Sequence, residues 1–313
     1  MSNKFPRKLK IPLTIISLIL ISYFLYNHNR PTYTDQFFFG AENKQVEKTN
    51  KFNETKKAEI DSLILTSVQN LPGRYGIFIK DLKANQTFEY KSNESFGSAS
   101  IYKLAVMYKT YDSIEKGDLT KDSVLSAEKI TLDRLIAGQN QNENQPENLE
   151  TSKSVTLTVE NALNAMITIS DNYSALLLAG KLGWANIDQF LKLQSIPDFN
   201  LVGNNSPNIT AFAVGNLLER IYLGTAINSQ YSQEMKDFLF AQQINDRIPR
   251  YLPKDIKVGH KTGELESIRN DAGIVLGKKS DYIFVFLSET PKPEDAIENI
   301  ALLSSKFYNA LEE

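Results

Sequence analysis

Ser100 and Lys103 stand three residues apart in the stretch Ser100-Ile101-Tyr102-Lys103. On a helix that spacing puts the hydroxyl and the amine on one face, where the amine can take the hydroxyl proton. A serine in the first helical turn also lies at the positive helix end, which stabilises a developing alkoxide. Its own backbone N–H is then free to donate to an oxyanion. The preceding Phe96-Gly97-Ser98-Ala99 suits a strand-to-helix turn. The chemistry would be attack on a carbonyl with lysine as base. That requires an amine that is neutral part of the time, which burial or a nearby positive charge provides. The same spacing recurs at Ser113/Lys116 and Ser126/Lys129. Ser113 falls inside the helix that Ser100 begins, where its hydroxyl would bond the preceding turn. Ser126 follows a polar turn and would serve to cap a helix. Spacing alone does not choose the nucleophile.

Two further short segments have suitable chemistry. Ser170-Asp171-Asn172 follows the apolar helical run Ala162 to Ile169. In a cleft, the Ser170 hydroxyl could relay protons and the Asn172 amide could bind a substrate carbonyl. Equally, Ser170 or Asp171 could do no more than cap the helix beginning near Tyr173. Lys261-Thr262-Gly263 follows Ile256 to Gly259 and reads as the end of an edge strand. Lysine and threonine there could hold a substrate carboxylate, while Gly263 admits close backbone approach. The amide of Glu264 would be a second oxyanion donor. An ordinary strand end is the plainer alternative. His260 adjoins Lys261, so on a strand it faces the other side of the sheet and is poorly placed as a base for this cleft.

Composition narrows the remaining chemistry. The 313 residues include no cysteine and only two histidines, His28 and His260. Disulfides, thiolate chemistry and the usual zinc ligand sets are therefore excluded or starved, and no cofactor or metal is expected. A Ser-His-Asp triad would have to draw on one of those two rings, so the base is not expected to be imidazole. A net charge of −2 gives no sign of nucleic-acid binding. With 42% hydrophobic and 23% charged residues, the balance is that of a globular core with a solvated surface.

The elements that must position these residues follow from periodicity. Lys4, Arg7, Lys8 and Lys10 precede an apolar run from Ile11 to Tyr26. Residues 1–30 are read as a basic flank and a single-pass signal-anchor, with the following domain outside the cytoplasmic membrane. Secretion after signal cleavage is the alternative. Residues 31–54 are polar and read as a tether. A helix is expected from Ala58 to Leu71, then strands over Tyr75 to Ile79 and Thr87 to Tyr90. Residues 100–250 read as helical, broken by a solvated loop from Gln139 to Glu150. Strands at Gly273 to Leu276 and Tyr282 to Leu287 and a helix from Pro293 to Leu311 close the chain. The expected class is α+β, within the broader α/β group. One antiparallel sheet would form from the N- and C-terminal parts (about 55–99 and 251–313), flanked by helices, with an all-helical subdomain inserted.

Taken together, Ser100, Ser170 and Lys261 follow in that order, 70 and then 91 residues apart. With their motif partners they resemble the penicillin-interactive serine hydrolases, in particular the class A β-lactamase-like family. The resemblance spans residues 56–313 and includes the Asn270-Asp271 pair and the closing helix. It implies Ser100 as the acylated nucleophile, Lys103 as proton acceptor, and Ser170, Asn172, Lys261 and Thr262 as cleft residues. Arg269 lies near where many members carry a carboxylate-binding arginine, with the register short by about one residue. A solvated surface arginine is the other reading.

One departure matters. Class A enzymes carry a Glu-x-x-Leu-Asn loop whose glutamate activates the deacylating water, and no such pattern occurs here. Asp188 and Asp198 are the only carboxylates between Asn172 and the helix starting near Thr210. Asp198 is a possible substitute, although it also suits a turn beside Pro197. Three functions are therefore expected as competitors. The first is a β-lactamase cleaving the β-lactam amide. The second is a D,D-carboxypeptidase or penicillin-binding peptidase acting on peptidoglycan stem peptides, with slow release of β-lactams. The third is a silent wall-binding or partner-binding domain.

Overall fold

The computed structural model describes residues 39–139, 153–196, 198–202 and 207–312, with side chains over 54–138 of the first stretch. The run read as a signal-anchor (11–26) and the solvated loop over 140–150 lie outside the described residues. Among the described residues, no helix is long and apolar enough to cross a membrane. Lys56–Glu313 form one compact unit.

The larger unit is organised by a five-stranded antiparallel sheet with strand order β2-β1-β10-β9-β8. Its strands are β1 (Arg74–Asp81), β2 (Gln86–Tyr90), β8 (Lys257–Leu265), β9 (Ile268–Leu276) and β10 (Tyr282–Glu289). β10 inserts between β1 and β9, with Ile79 opposite Phe284 and Phe284 in turn opposite Gly273. The sequence of β10, YIFVFLSE, is buried at every position but the last. A run without polar alternation is what a strand covered on both faces requires. The alternation reappears as a choice between two cores. Ile77, Ile79, Tyr282, Phe284 and Phe286 pack with Ile60, Ile64 and Val68 of α1 (Phe39–Val68) and with Ile300, Leu303 and Phe307 of α9 (Pro293–Glu312). Phe78, Ile283, Val285 and Leu287 point the other way, into the helical layer.

That layer contains α2 (Lys103–Glu115), α4 (Val159–Thr168), α5 (Asn172–Leu182), α6 (Trp184–Leu193), α7 (Ala211–Leu223) and α8 (Ser229–Phe240). α2 is buried on almost every side, from Lys103 through Tyr108 and again at Thr110 to Ser113, so it runs through the middle of the layer. Capping side chains fix where several helices begin. Thr158, Asp171, Thr210 and Asn228 each accept a backbone N–H from three residues ahead. Gly215 of α7 lets the layer close onto the sheet: a Cβ there would lie 2.2 Å from the ring of Phe78.

Several expectations need correction. α1 begins at Phe39, inside the stretch read as a tether, because polar helix formers carry no apolar periodicity to betray them. β9 begins five residues before Gly273, since the buried polar residues Arg269, Asn270 and Asp271 hide its strand character. The helical part also contains short strands. β4 (Val124–Glu128) pairs with β5 (Ser154–Thr158), and β3 (Phe96–Gly97) and β6 (Phe199–Asn200) flank β7 (Asn208–Ile209). Ser126 therefore caps no helix. It lies on β4, exposed, with Oγ 2.8 Å from the Thr156 hydroxyl. α3 (Lys129–Gln139) follows that strand.

Candidate active site

Ser100 sits in a 3₁₀ turn, Ala99–Tyr102, between β3 and α2. With three residues per turn, positions i and i+3 eclipse, so Ser100 and Lys103 share a face more closely than an α-helix would allow. The turn is held from several sides. Ser98 N–H donates to the Pro207 carbonyl at 2.8 Å, and Asn270 Nδ2 donates to the carbonyls of Gly97 at 3.0 Å and Ser98 at 3.3 Å. Ala99 has φ +43, a left-handed conformation that costs a non-glycine residue of order 1–3 kcal/mol. The contacts on either side keep the strained backbone, and with it Ser100, in place.

Lys103 is fully buried. Its Nζ donates to Ser170 O at 2.7 Å, to Asn172 Oδ1 at 2.8 Å and to Ser170 Oγ at 3.2 Å. Burial lowers its pKa from the ordinary 10.5 to about 7, against a smaller opposing pull from Asp171. The Asp171 carboxylate is turned away, accepting from Ser174 N at 2.7 Å and Ser174 Oγ at 2.6 Å as the cap of α5. Asp171 is thus the capping residue of the tripeptide. Ser170, left-handed at φ +60, is free to turn both its carbonyl and its hydroxyl to Lys103.

Lys261 reaches the same hydroxyl from the sheet. It is fully buried, and Nζ donates to Ser170 Oγ at 2.9 Å and to the Thr262 carbonyl at 2.7 Å. Its pKa lies well below the usual lysine range, chiefly through burial, with the Lys103 and Arg247 charges adding to the effect and Asp271 opposing it. One serine oxygen therefore joins two depressed amines. β8 is the edge strand expected, but it continues through the motif to Leu265. Gly263 lets it lie against the nucleophile turn: a Cβ there would sit 3.0 Å from Ile101 Cγ1 and 3.1 Å from the Ser98 carbonyl. Thr262 is buried beside it, and Glu264 stands exposed at the rim.

The structure does not bring Arg269 into this cluster. Its guanidinium donates to the carbonyls of Leu265 at 2.6 Å and Ile268 at 2.9 Å, and to Glu294 at 2.9 Å. The arginine near Lys261 is instead Arg247, from the loop after α8, fully buried and 2.7 Å from Glu264 Oε2. No motif marks it in the sequence. His260 faces away from the amines, as strand alternation requires. Its Nδ1 lies 2.8 Å from Asp271 and its Nε2 lies 3.0 Å from Asn245 Oδ1. Asp271 also accepts from Ile248 N at 3.0 Å, so the residues on both sides of Arg247 are bonded to the sheet. Of the two carboxylates between Asn172 and α7, Asp188 is committed elsewhere. It accepts from Leu201 N at 3.2 Å and pairs with Lys192 at 2.6 Å. Among the described residues no cluster of three or more His, Cys, Asp or Glu side chains could hold a metal.

The model of the beta-lactamase enzyme family matches residues 56–311, the whole span over which these elements fold together. The chain belongs to that family. Within the beta-lactamase family, it is 23% identical over 282 residues to beta-lactamase VEB-1 of Pseudomonas aeruginosa, covering 80% of this chain and 92% of that protein. It is 24% identical over 287 residues to a beta-lactamase of Bacteroides uniformis, covering 81% and 92% respectively. Among solved structures, its fold resembles a point mutant of PBP-A in an acyl-enzyme complex with penicillin G. There the TM-score is 0.71 at 18% identity, covering 83% of this chain and 97% of that one. A class A beta-lactamase from Bacteroides cellulosilyticus DSM 14838 gives 0.68 at 21%, covering 82% and 98%. Family membership makes the chain a β-lactamase-like serine hydrolase.

Proposed function

We propose that the protein cleaves the amide of a β-lactam through an acyl-enzyme on Ser100. The observation that carries this reading is the continuous amine–hydroxyl–amine contact of Lys103, Ser170 and Lys261 beside the nucleophile turn. Neutral Lys103 takes the Ser100 proton as Oγ bonds to the carbonyl carbon. The amides of Ser100 and Glu264 receive the charge that develops on the carbonyl oxygen. Collapse breaks the C–N bond. The leaving nitrogen takes its proton from the Ser170 hydroxyl, which recovers one from Lys103, and the amine ends neutral again. Water then adds to the ester, and Ser100 leaves with a proton restored. Lys261 and Thr262 supply the amine and hydroxyl groups around the substrate. The basic-flanked apolar run at 11–26 supports action outside the cytoplasmic membrane.

A second reading rests on the second half of the cycle. Asp198 is the only carboxylate in residues 195–209, the segment whose C-terminal end pairs against β3 and the Ser98 backbone. A general base contributes roughly 10²–10⁴-fold to such a step. If none is placed there, β-lactams acylate Ser100 and leave slowly, and the natural substrate is the acyl-D-Ala-D-Ala end of a peptidoglycan stem peptide. Intact-mass measurement over time after mixing with benzylpenicillin separates the two. Acylation followed by fast return of free protein supports the β-lactamase, whereas a stoichiometric, persistent adduct supports the peptidase. No adduct with the drug left intact, or an equal adduct on Ser100→Ala, overturns the enzyme reading.

A further inference from the structure

The carboxylate of Glu264 occupies the guanidinium nearest the third motif. Arg247 has no exposed surface, and its Nη2 donates to Glu264 Oε2 at 2.7 Å. Its Nε and Nη1 have no hydrogen-bond partner among the described residues. Asp246 Oδ1 lies 3.5 Å from Nη1, but not in the geometry of a bond. A buried guanidinium with donors to spare strongly favours an anion in front of it. The anion it has is a side chain of the same protein, reaching in from solvent with 57% of its surface exposed. The other oxygen of Glu264 lies 3.4 Å from Arg269 Nη2, so two cations hold the carboxylate at the rim.

The position of Glu264 along β8 gives this contact its consequence. It lies two residues past Thr262 and so on the same strand face, opposite Arg269 in the ladder. Its backbone N–H is the one assigned above to the oxyanion, and its side chain stands exposed at the rim. A substrate carboxylate drawn to Arg247 must displace Glu264 or lie beside a like charge. A neutral or cationic group meets neither obstacle.

We propose that Glu264 is a specificity-determining residue that stands in for a substrate carboxylate on Arg247. The cleft is then acylated more slowly by donors with a free carboxylate beside the scissile amide than it would be with Arg247 unoccupied. The inference rests on acylation of Ser100 as proposed above. It is tested with benzylpenicillin, an anion, and its methyl ester, which is neutral, by measuring acylation rate constants by intact mass for the parent, Glu264→Gln and Glu264→Ala. Both variants should react about tenfold faster with benzylpenicillin, because a like charge is removed, while their rates with the ester change less than about threefold. An unchanged or slower reaction of folded variants with benzylpenicillin overturns the proposal, as does an equal acceleration with both compounds. In those cases acylation of Ser100 still stands. If no form is acylated by either compound, both readings fall.

Discussion

The wall of the cleft that carries Ser100, Lys103, Ser170 and Asn172 is made of helix ends, whereas the wall that carries Lys261 to Glu264 is an edge strand backed by buried charges. On the helical wall Lys103 meets neutral oxygens, and the nearest carboxylate, Asp171, is engaged by Ser174. Burial therefore acts on the amine with little to offset it. On the strand wall Glu264 pairs with Arg247 and Arg269, and His260 pairs with Asp271, which also accepts from Ile248 N. The first arrangement suits moving a proton, and the second suits recognising charge and holding a loop. Substitutions on the helical wall should mainly change rates, and those on the strand wall should mainly change stability or substrate choice.

The largest effect that tests this division is expected for Lys103→Ala, which should slow acylation by roughly 10²–10⁴-fold. Its melting temperature should be no lower than that of the parent, since a buried amine held near pH 7 opposes folding. Normal acylation by this variant would remove the proposed base. Asp271→Ala should do the reverse. It leaves His260 and the Ile248 N–H buried without their partner, at a cost of about 3–5 kcal/mol in denaturant unfolding. An unaltered unfolding midpoint would show that the strand wall does not depend on this pair.

Smaller effects sharpen the contrast. With the Lys103 pKa near 7, the neutral amine is lost below that value, so acylation should fall about tenfold per pH unit under 7 and level off above it. The same shift acts on stability with a worked sign. Between about 7 and 10.5 the unfolded chain binds the lysine proton that the folded chain has released, so this group makes folding more favourable as pH rises. A rate that stays flat from pH 5 to 8 would contradict the proposed base. Smallest of all should be Arg269→Ala, whose ion pairs are to the exposed side chains of Glu294 and Glu264. Acylation by benzylpenicillin should change less than about threefold.

How much of this was legible in the sequence depended on whether a residue's role is local. The Ser-x-x-Lys spacing, the cap at Asp171 and the strand leading to Lys261 are local, and they read correctly as elements. The two apolar faces of β1 and β10 were visible as strands, although not their division between two cores. Three things were hidden for physical reasons. The left-handed backbones of Ala99 and Ser170 occur at residues that give no sign of them, since glycine is the usual marker. The start of β9 was masked because Asn270 and Asp271 are buried polar groups satisfied from distant segments. Arg247 was missed and Arg269 preferred because proximity in sequence to the third motif is a poor guide on an antiparallel hairpin. The side chain beside the motif bonds to Leu265, Ile268 and Glu294 and lies 3.4 Å from Glu264, and the one fourteen residues upstream of Lys261 reaches Glu264 at 2.7 Å.

The place of β10 in the sheet has a consequence for how the molecule is made. Of the five strands of this sheet it is the last to leave the ribosome and the middle one in the finished sheet, flanked by β1 from the sheet's N-terminal part and β9 from just before it. Until it emerges, the β1–β2 and β8–β9 hairpins have no common partner. Ser288 is also not yet there to donate its N–H to Asn270, whose amide anchors the backbone at Gly97 and Ser98. A nascent chain that stops short of Tyr282 thus lacks the centre of its sheet rather than an edge. Such distant pairing is slow to form, so competence arrives late in biosynthesis and nearly all at once.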